Sequence, residues 1–417
     1  MSRGAPRRRT GIDGLSLIEL LIALLIGMVM VLGLVQVFAA SRTAYMVSQG
    51  IARSQESARF ALDFLSRDLR MVGHAGCVND QGLLQEDASV TPALVRGGNI
   101  RSLFLGEDDR NANNVAALPF ALRFDVALQG FEAAGTGPGA SIDLQTVPAA
   151  GDATDWSPQL PAEIAALSPV AGSDVVMLRF FSPEQAQLSG LTPGATTTVS
   201  YDAASSAVAT EGGGLFALAD CGGASVFQAS APPDATSMTV SVSGLNQTAM
   251  DFVTEHDGSV TYRAGSTTLY RAESMAYYVA LNGQRVPSLY RTRWTSTPGS
   301  AALTPVTEEL VEGVESLQLL YGEDANSETL EVPPSGYITK TNTADTIGDA
   351  TSAGRWRRVG AVQIGLMVRG GSIERSASEQ ATTPPEVLQV TMNAPEDGHY
   401  RSAYETTIAL RNRLFGN

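Results

Sequence analysis

Between Leu15 and Ala40 the only polar side chains are Ser16, Glu19 and Gln36, and from Leu20 to Val35 there is none. A helix that is apolar on every side belongs in a membrane or among other helices, not on the surface of a soluble domain. At ~1.5 Å per residue this run exceeds the ~30 Å of a hydrocarbon core. Arg3, Arg7, Arg8 and Arg9 precede it, which predicts a cytoplasmic N-terminus with the rest of the chain outside. A cleaved secretory signal is one reading, with Val37-Phe38-Ala39 as a small-residue cut site, although the run is longer than the usual ~7–15 residues. A plain transmembrane anchor is another. It must tolerate Glu19, whose cost is lower near the interface than at the bilayer centre.

The helical pattern continues past the apolar run. No proline occurs from Leu15 to Val72, and Ala58, Ala61, Leu62, Leu65, Leu69 and Val72 recur at helical spacing. One helix of ~87 Å is therefore expected over Leu15–Val72, with a membrane-spanning first half and an amphipathic second half. Gly27, Gly33 and Gly50 weaken it locally by ~1 kcal/mol each relative to Ala. From Cys77 onward, short β-type runs alternate with Gly, Pro, Asn and Asp. Candidate strands include "ALRFDVAL", "DVVMLRFF", "TTTVSY", "ASVFQAS", "SMTVSVS", "SVTYRA", "TTLYRA", "MAYYVAL", "SLYRTRW", "ESLQLLYG", "AVQIGLMVR" and "YETTIALRNR". Asn282-Gly283 is a hairpin signal. The expected fold class is α+β: a long N-terminal helix packed on a large antiparallel β-rich globular domain. A soft boundary near residue 231 divides it into β-rich regions 77–230 and 231–417, which can share one extended sheet.

Charge excludes a class of partner. The chain of 417 residues carries −15, and residues 1–14 hold four of its 28 basic residues and one of its 43 acidic ones, so the remainder carries −18. Phosphate recognition needs clustered Lys and Arg, so nucleic acid is not expected as a partner. Cys77 and Cys221 are the only cysteines. In an exported chain an even count is consistent with one disulfide; two buried free thiols are the alternative. The bridge closes a long loop, worth ~4–5 kcal/mol in the chain-entropy model.

The stretch "GLSLIELLIA" at Gly14–Ala23 resembles the N-terminal motif of type IV pilins. The resemblance implies that 1–14 is a leader peptide, cut by prepilin peptidase between Gly14 and Leu15, with Leu15 then N-methylated. Glu19 becomes the fifth mature residue, where the family keeps its acid; Leu15 departs from the family's usual Phe. A buried ammonium and a buried carboxylate each need a partner, and Glu19 of one subunit can neutralise the amino terminus of its neighbour in a filament. The parts 15–40 and 41–76 then correspond to the two halves of a pilin helix. "RDLRMVGHAGC" at Arg67–Cys77 and "LADCGGASVFQAS" at Leu218–Ser230 look like the helix exit and second-cysteine segment of PilW-type minor pilins, which implies pairing of Cys77 with Cys221. "ELVEGVESLQLLYGED", Trp356, "VGAVQIGLMVRG" and "RSAYETTIALRNR" extend the likeness to Arg413.

Catalytic and cofactor signatures are missing. No zinc spacing, nucleophile elbow or phosphate loop occurs, and His74, His256 and His399 are far apart in sequence. No catalytic residue, cofactor or firm metal site is assigned. Asp324, Asn326 and Glu328 alternate as calcium-loop ligands do, but the glycine of a sharp loop is absent, and a solvated acidic loop is the plainer reading. Trp156, Trp294 and Trp356 are expected as core or rim anchors. The resemblance implies a non-enzymatic minor pilin in the priming or tip complex of a type IV pilus. Its implied partners are other minor and major pilins, a tip adhesin, prepilin peptidase and the inner-membrane assembly machinery. The globular domain would lie in the periplasm first and on the pilus later. A minor pseudopilin of type II secretion, a membrane-tethered periplasmic enzyme and a ligand-binding adhesin are the alternatives.

Overall fold

The structure is a computed structural model describing residues 16–78, 100–106, 108–109, 114–205, 207–210, 213–221, 223–250, 262–328, 334–349, 353–372 and 384–413. One helix, α1 (Leu17–Met71), runs unbroken for 55 residues, or ~82 Å. Val72 caps it, and the chain leaves through Gly73 and Gly76, both at positive φ (75° and 74°). A left-handed glycine just past the last turn is the usual way to end a helix.

The rest is β-rich with few and short helices, so the fold is α+β. Among the described residues, the first sheet has eleven strands. Its main path is Ile100–Ser102, Ala224–Gln228, Leu215–Ala219, Thr268–Leu281, Val175–Thr192, Leu128–Ala133 and Trp156–Ser157. Thr268–Leu281 also pairs with Pro287–Ser296, which pairs in turn with Leu303–Glu312; Val175–Thr192 continues into Thr196–Tyr201 and then Ser237–Ser241. Strands from both sides of residue 231 share this sheet. The second sheet is antiparallel, in the order Ile338–Asn342, Val314–Asp324, Val359–Ser372 and His399–Ala409. A small third sheet joins Glu386–Val387 and Val390–Asn393 to Ser141–Asp143.

A single residue turns the chain from the first sheet into the second. Gly313 sits at φ 89°, and a Cβ there would lie 2.9 Å from the Arg369 carbonyl oxygen. Both the backbone angle and the close approach demand glycine. The main core lies where the two sheets meet α1. Ala58, Ala61, Leu65 and Leu69 of the helix pack with Leu178, Tyr277 and Val279 of the first sheet and with Leu317, Ile364, Leu366 and Val368 of the second.

Most expected strands form, with instructive differences. "ALRFDVAL" is not a strand: Phe120–Leu122 is a short 3-10 helix, and the strand starts at Leu128. Pro119 opens that turn, and the Arg123–Asp125 side-chain pair (2.7 and 2.8 Å) folds the following residues locally. "TTLYRA" and "MAYYVAL" merge into one 14-residue strand. The Asn282 turn does close a hairpin, but the residue at positive φ is Arg285 rather than Gly283. The Asn282 side chain holds the loop by accepting from the Gln284 and Val286 N–H groups. Leu303–Glu312 escaped the pattern because it is an edge strand, mostly exposed and carrying Pro305 and three glutamates; proline and charge are how edges avoid pairing with other chains. Of "SVTYRA", 259–261 lie outside the described residues, and Tyr262, Arg263 and Ala264 are not in a strand.

Candidate functional site

The candidate functional element is α1, which has two unlike halves. From Leu17 to Phe38 every large apolar side chain is at least half exposed. The helix is long and apolar enough to cross a membrane, which supports membrane anchoring. Gly27 and Gly33 face open space. At its start, Ser16 Oγ accepts from the Glu19 N–H (3.2 Å) and Glu19 Oε2 accepts from the Ser16 N–H (3.1 Å). This is a reciprocal capping box, and Ser-x-x-Glu ahead of an apolar run is its sequence sign; reading Glu19 only as a partner for a neighbour's amino terminus overlooked it. The carboxylate sits where the helix dipole favours negative charge. Gly14 and Leu15 lie outside the described residues.

The second half is seated by small residues. Gly50, Ser54, Ala58 and Ala61 are buried, followed by Leu65 and Leu69. Ser54 Oγ reaches the Val368 carbonyl (3.5 Å) and the Tyr404 hydroxyl (3.1 Å), and Gly50 meets Gly370 backbone to backbone. The hydrophobic periodicity was legible; the extension of the seat to Gly50 and Ser54 was not, because neither looks like a core residue. Asp68 adds a polar fastening. It is 7% exposed and accepts from the Tyr277 hydroxyl and from Arg291 Nη1 (2.9 Å), while Arg291 Nη2 reaches Glu308 (2.7 Å). Burial and the Asp68 charge hold the Tyr277 phenol well above its ordinary range. Asp68→Asn should destabilise the fold by about 2–4 kcal/mol, below a fully buried pair because Arg291 keeps Glu308. Urea unfolding against the exposed control Asp63→Asn measures this, and equal effects would refute the fastening.

The helix exit is tied down at several points. Cys77 and Cys221 are joined by a disulfide, with Cα atoms 4.7 Å apart. His74 Nδ1 lies 2.8 Å from the Phe181 carbonyl, and the Phe181 N–H donates to the His74 carbonyl (2.8 Å). Asn412 Nδ2 donates to the Arg70 and Val72 carbonyls (3.0 and 3.3 Å). The end of the described chain therefore closes over the helix exit.

The acidic loop is arranged differently. Asp324 is fully buried; its Oδ1 accepts from the Asn326 and Ser335 N–H groups, and its Oδ2 from Ser335 Oγ and the Gly336 N–H. Glu328 points to Lys340 Nζ (2.6 Å) on the surface. Asp324 thus folds the loop, and Asp324, Asn326 and Glu328 do not converge. Among the described residues, no group of three His, Cys, Asp or Glu side chains is placed to hold a metal ion. All three tryptophans are core residues.

Comparison with known proteins bears on the C-terminal part. Residues 276–412 match the family model of Type IV Pilus-assembly protein W, PilW. The match supports a PilW-type protein of the type IV pilus. No curated protein and no solved structure matches the chain. The PilW-type segment takes in the whole second sheet, the Asn282 hairpin and the Gly313 corner. "ELVEGVESLQLLYGED", Trp356 and all but the last residue of "RSAYETTIALRNR" fall inside it, while both cysteines and the amphipathic half of α1 lie before it. The match supports a role related to type IV pilus assembly, and with it an association with other pilus components.

Proposed function

We propose that this chain is a minor pilin of the PilW type that helps to start type IV pilus assembly, in the priming or tip complex. It is made as a precursor in the inner membrane, cut by prepilin peptidase between Gly14 and Leu15, and methylated on the new amino group. The globular domain lies in the periplasm until α1 is drawn into the filament. Other minor and major pilins, a tip adhesin and the assembly machinery of the inner membrane are its partners. The observation that carries this reading is the division of α1: an exposed apolar half that begins at a capped glutamate, continuous with a half fastened to the globular domain. The domain is large for a repeating shaft subunit, which favours a rare position.

Mass spectrometry of the filament or membrane form tests the processing step. A mature chain that begins with N-methylated Leu15 is the expected result; one that begins at Ala40, or keeps Met1, overturns it. Assembly is tested separately. Glu19→Ala should still be cleaved but enter filaments at least ~10-fold less, the equivalent of ~1.4 kcal/mol of lost pairing. Ser16→Ala removes the cap, worth ~1 kcal/mol to the helix, and leaves the charge, so it should assemble nearly normally. Equal defects in both variants would reduce Glu19 to a cap and refute the pairing between subunits.

A further inference from the structure

Two buried carboxyls meet at the seam between the first and second sheets, with the exposed Asp345 near enough to act on both through space. Glu132 lies in the strand Leu128–Ala133, Asp174 immediately before Val175–Thr192, and Asp345 in the short helix Ala344–Ile347. Glu132 is 6% exposed and Asp174 1%. Tyr321 of the second sheet adds a buried phenol above Gly130, where a Cβ would lie 2.0 Å from its oxygen. Among the described residues, neither the Tyr321 hydroxyl nor Glu132 Oε2 has a hydrogen-bond partner.

The hydrogen bonds show what the cluster joins. Asp174 Oδ1 accepts from the Ala133 N–H of the first sheet, and Oδ2 from the Leu319 N–H of the second, both at 2.8 Å. The Asp174 N–H donates to the Leu317 carbonyl (2.8 Å), the Leu317 N–H to Ser173 Oγ (3.0 Å), and Gln318 Nε2 to the Gly172 carbonyl (3.0 Å). Residues 172–174 are thus the stitch between the sheets, and the Asp174 carboxylate is its central knot. Glu132, by contrast, receives Thr136 Oγ1 (3.4 Å) and the Ala344 N–H, which only partly offset its burial. The charges that act on Glu132 are Asp174 and Asp345; Asp345 also acts on Asp174, and both Asp174 and Glu132 act on Tyr321. A second buried anion beside the first, with no cation to offset it, is strongly unfavourable.

We propose that this seam is a proton-operated latch: Glu132 stays protonated while Asp174 ties the two sheets, and loss of that proton in mildly alkaline medium loosens the seam. Burial, reinforced by Asp174 and Asp345, pushes Glu132 up to about 9. Burial raises Asp174 too, but less far, because the Ala133 and Leu319 N–H groups favour its anion. The folded chain therefore holds more protons than the unfolded one above the ordinary carboxylate range. Its stability is intact below that range and falls as pH rises toward the folded value for Glu132.

Hydrogen exchange of the full chain in detergent, read by mass spectrometry and corrected for the intrinsic rate, tests the latch between about pH 6 and about pH 9.5. In the wild type, protection of peptides covering 130–136, 172–176 and 314–324 should fall at least ~10-fold over that span, while 64–70 in the helix seat stays protected. Glu132→Gln, which copies the protonated acid, should keep its protection throughout. An unchanged wild-type profile, or the same fall in the Gln variant, overturns the proposal. Should the variant not fold, the infrared band of a protonated carboxyl group in the wild type decides: its presence near neutral pH and loss in alkali support the latch, and its absence at neutral pH refutes it.

Discussion

Replacing both cysteines by serine should remove about 3–5 kcal/mol of stability, the largest effect expected of any change that adds no bulk. Cys77 and Cys221 are 144 positions apart, so their bond constrains a long stretch of the unfolded chain. The bond also has a local task. It fastens the residues just past α1 to the turn between Leu215–Ala219 and Ala224–Gln228 of the first sheet. The seat of α1 at Gly50 and Ser54 lies on the second sheet, so the disulfide holds the helix end to the other part of the domain. Both cysteines are exposed, and a reductant should reach them in the folded protein and reproduce the loss. Urea unfolding of the oxidised, reduced and double-serine forms measures it. A loss below ~1 kcal/mol in the variant would show that the unfolded chain gains little from the opened loop.

Gly370→Ala should cost about 2–4 kcal/mol and shift α1 on its seat. An added Cβ would stand 2.3 Å from the Gly50 carbonyl oxygen and 3.1 Å from the Gly50 Cα. Both atoms are backbone, so no rotamer change relieves the contact, and overpacking of this kind typically costs ~1–3 kcal/mol or more. For the helix to lift, the Ser54 bonds to Val368 and Tyr404 must lengthen or break. Thermal unfolding gives the magnitude, and faster hydrogen exchange over residues 50–58 gives the location. Gly27→Ala is the control: nothing lies within 4 Å of its added Cβ, so it should be neutral or slightly stabilising, by up to ~1 kcal/mol from helix propensity. Equal responses at the two positions would refute the tight seat.

Local patterns were legible wherever one physical cause dominated. The apolar run, the 3.6-residue stripe at Ala58–Leu69 and the alternating strands each followed from burial of one face, and they gave α1 and most of both sheets. The pairing of Cys77 with Cys221 was implied by the family resemblance, with two free thiols as the alternative, and the structure forms it. Harder to see were features that depend on a distant partner. Gly50 looked like a weak point in a helix; its role appears only when Gly370, 320 positions away in sequence, is set against it. Glu132 and Asp174 each sit in an ordinary strand context, and nothing in either neighbourhood says that they face one another. "ALRFDVAL" misled for the opposite reason. A local Arg123–Asp125 pair and Pro119 outweighed an alternating apolar pattern. Asp324 was read as a possible ligand because its neighbours are acidic, whereas its oxygens are taken by the N–H and O–H groups of residues 326, 335 and 336.

The spacing of the fastenings along α1 has a mechanical consequence. Leu17–Phe38 is an exposed rod of ~33 Å ahead of the seat that includes the buried Gly50. Behind it, Gly50, Ser54 and Asp68 grip the same rod at successive points, and Cys77 is a covalent stop. Traction along the axis loads these grips together, in shear, and ends on a bond that does not yield. A sideways push on the free end works through a long lever and loads them one at a time, beginning at the Gly50 contact, which contains no side chain. The domain is therefore built to be hauled by its helix and is weakest against being bent away from it.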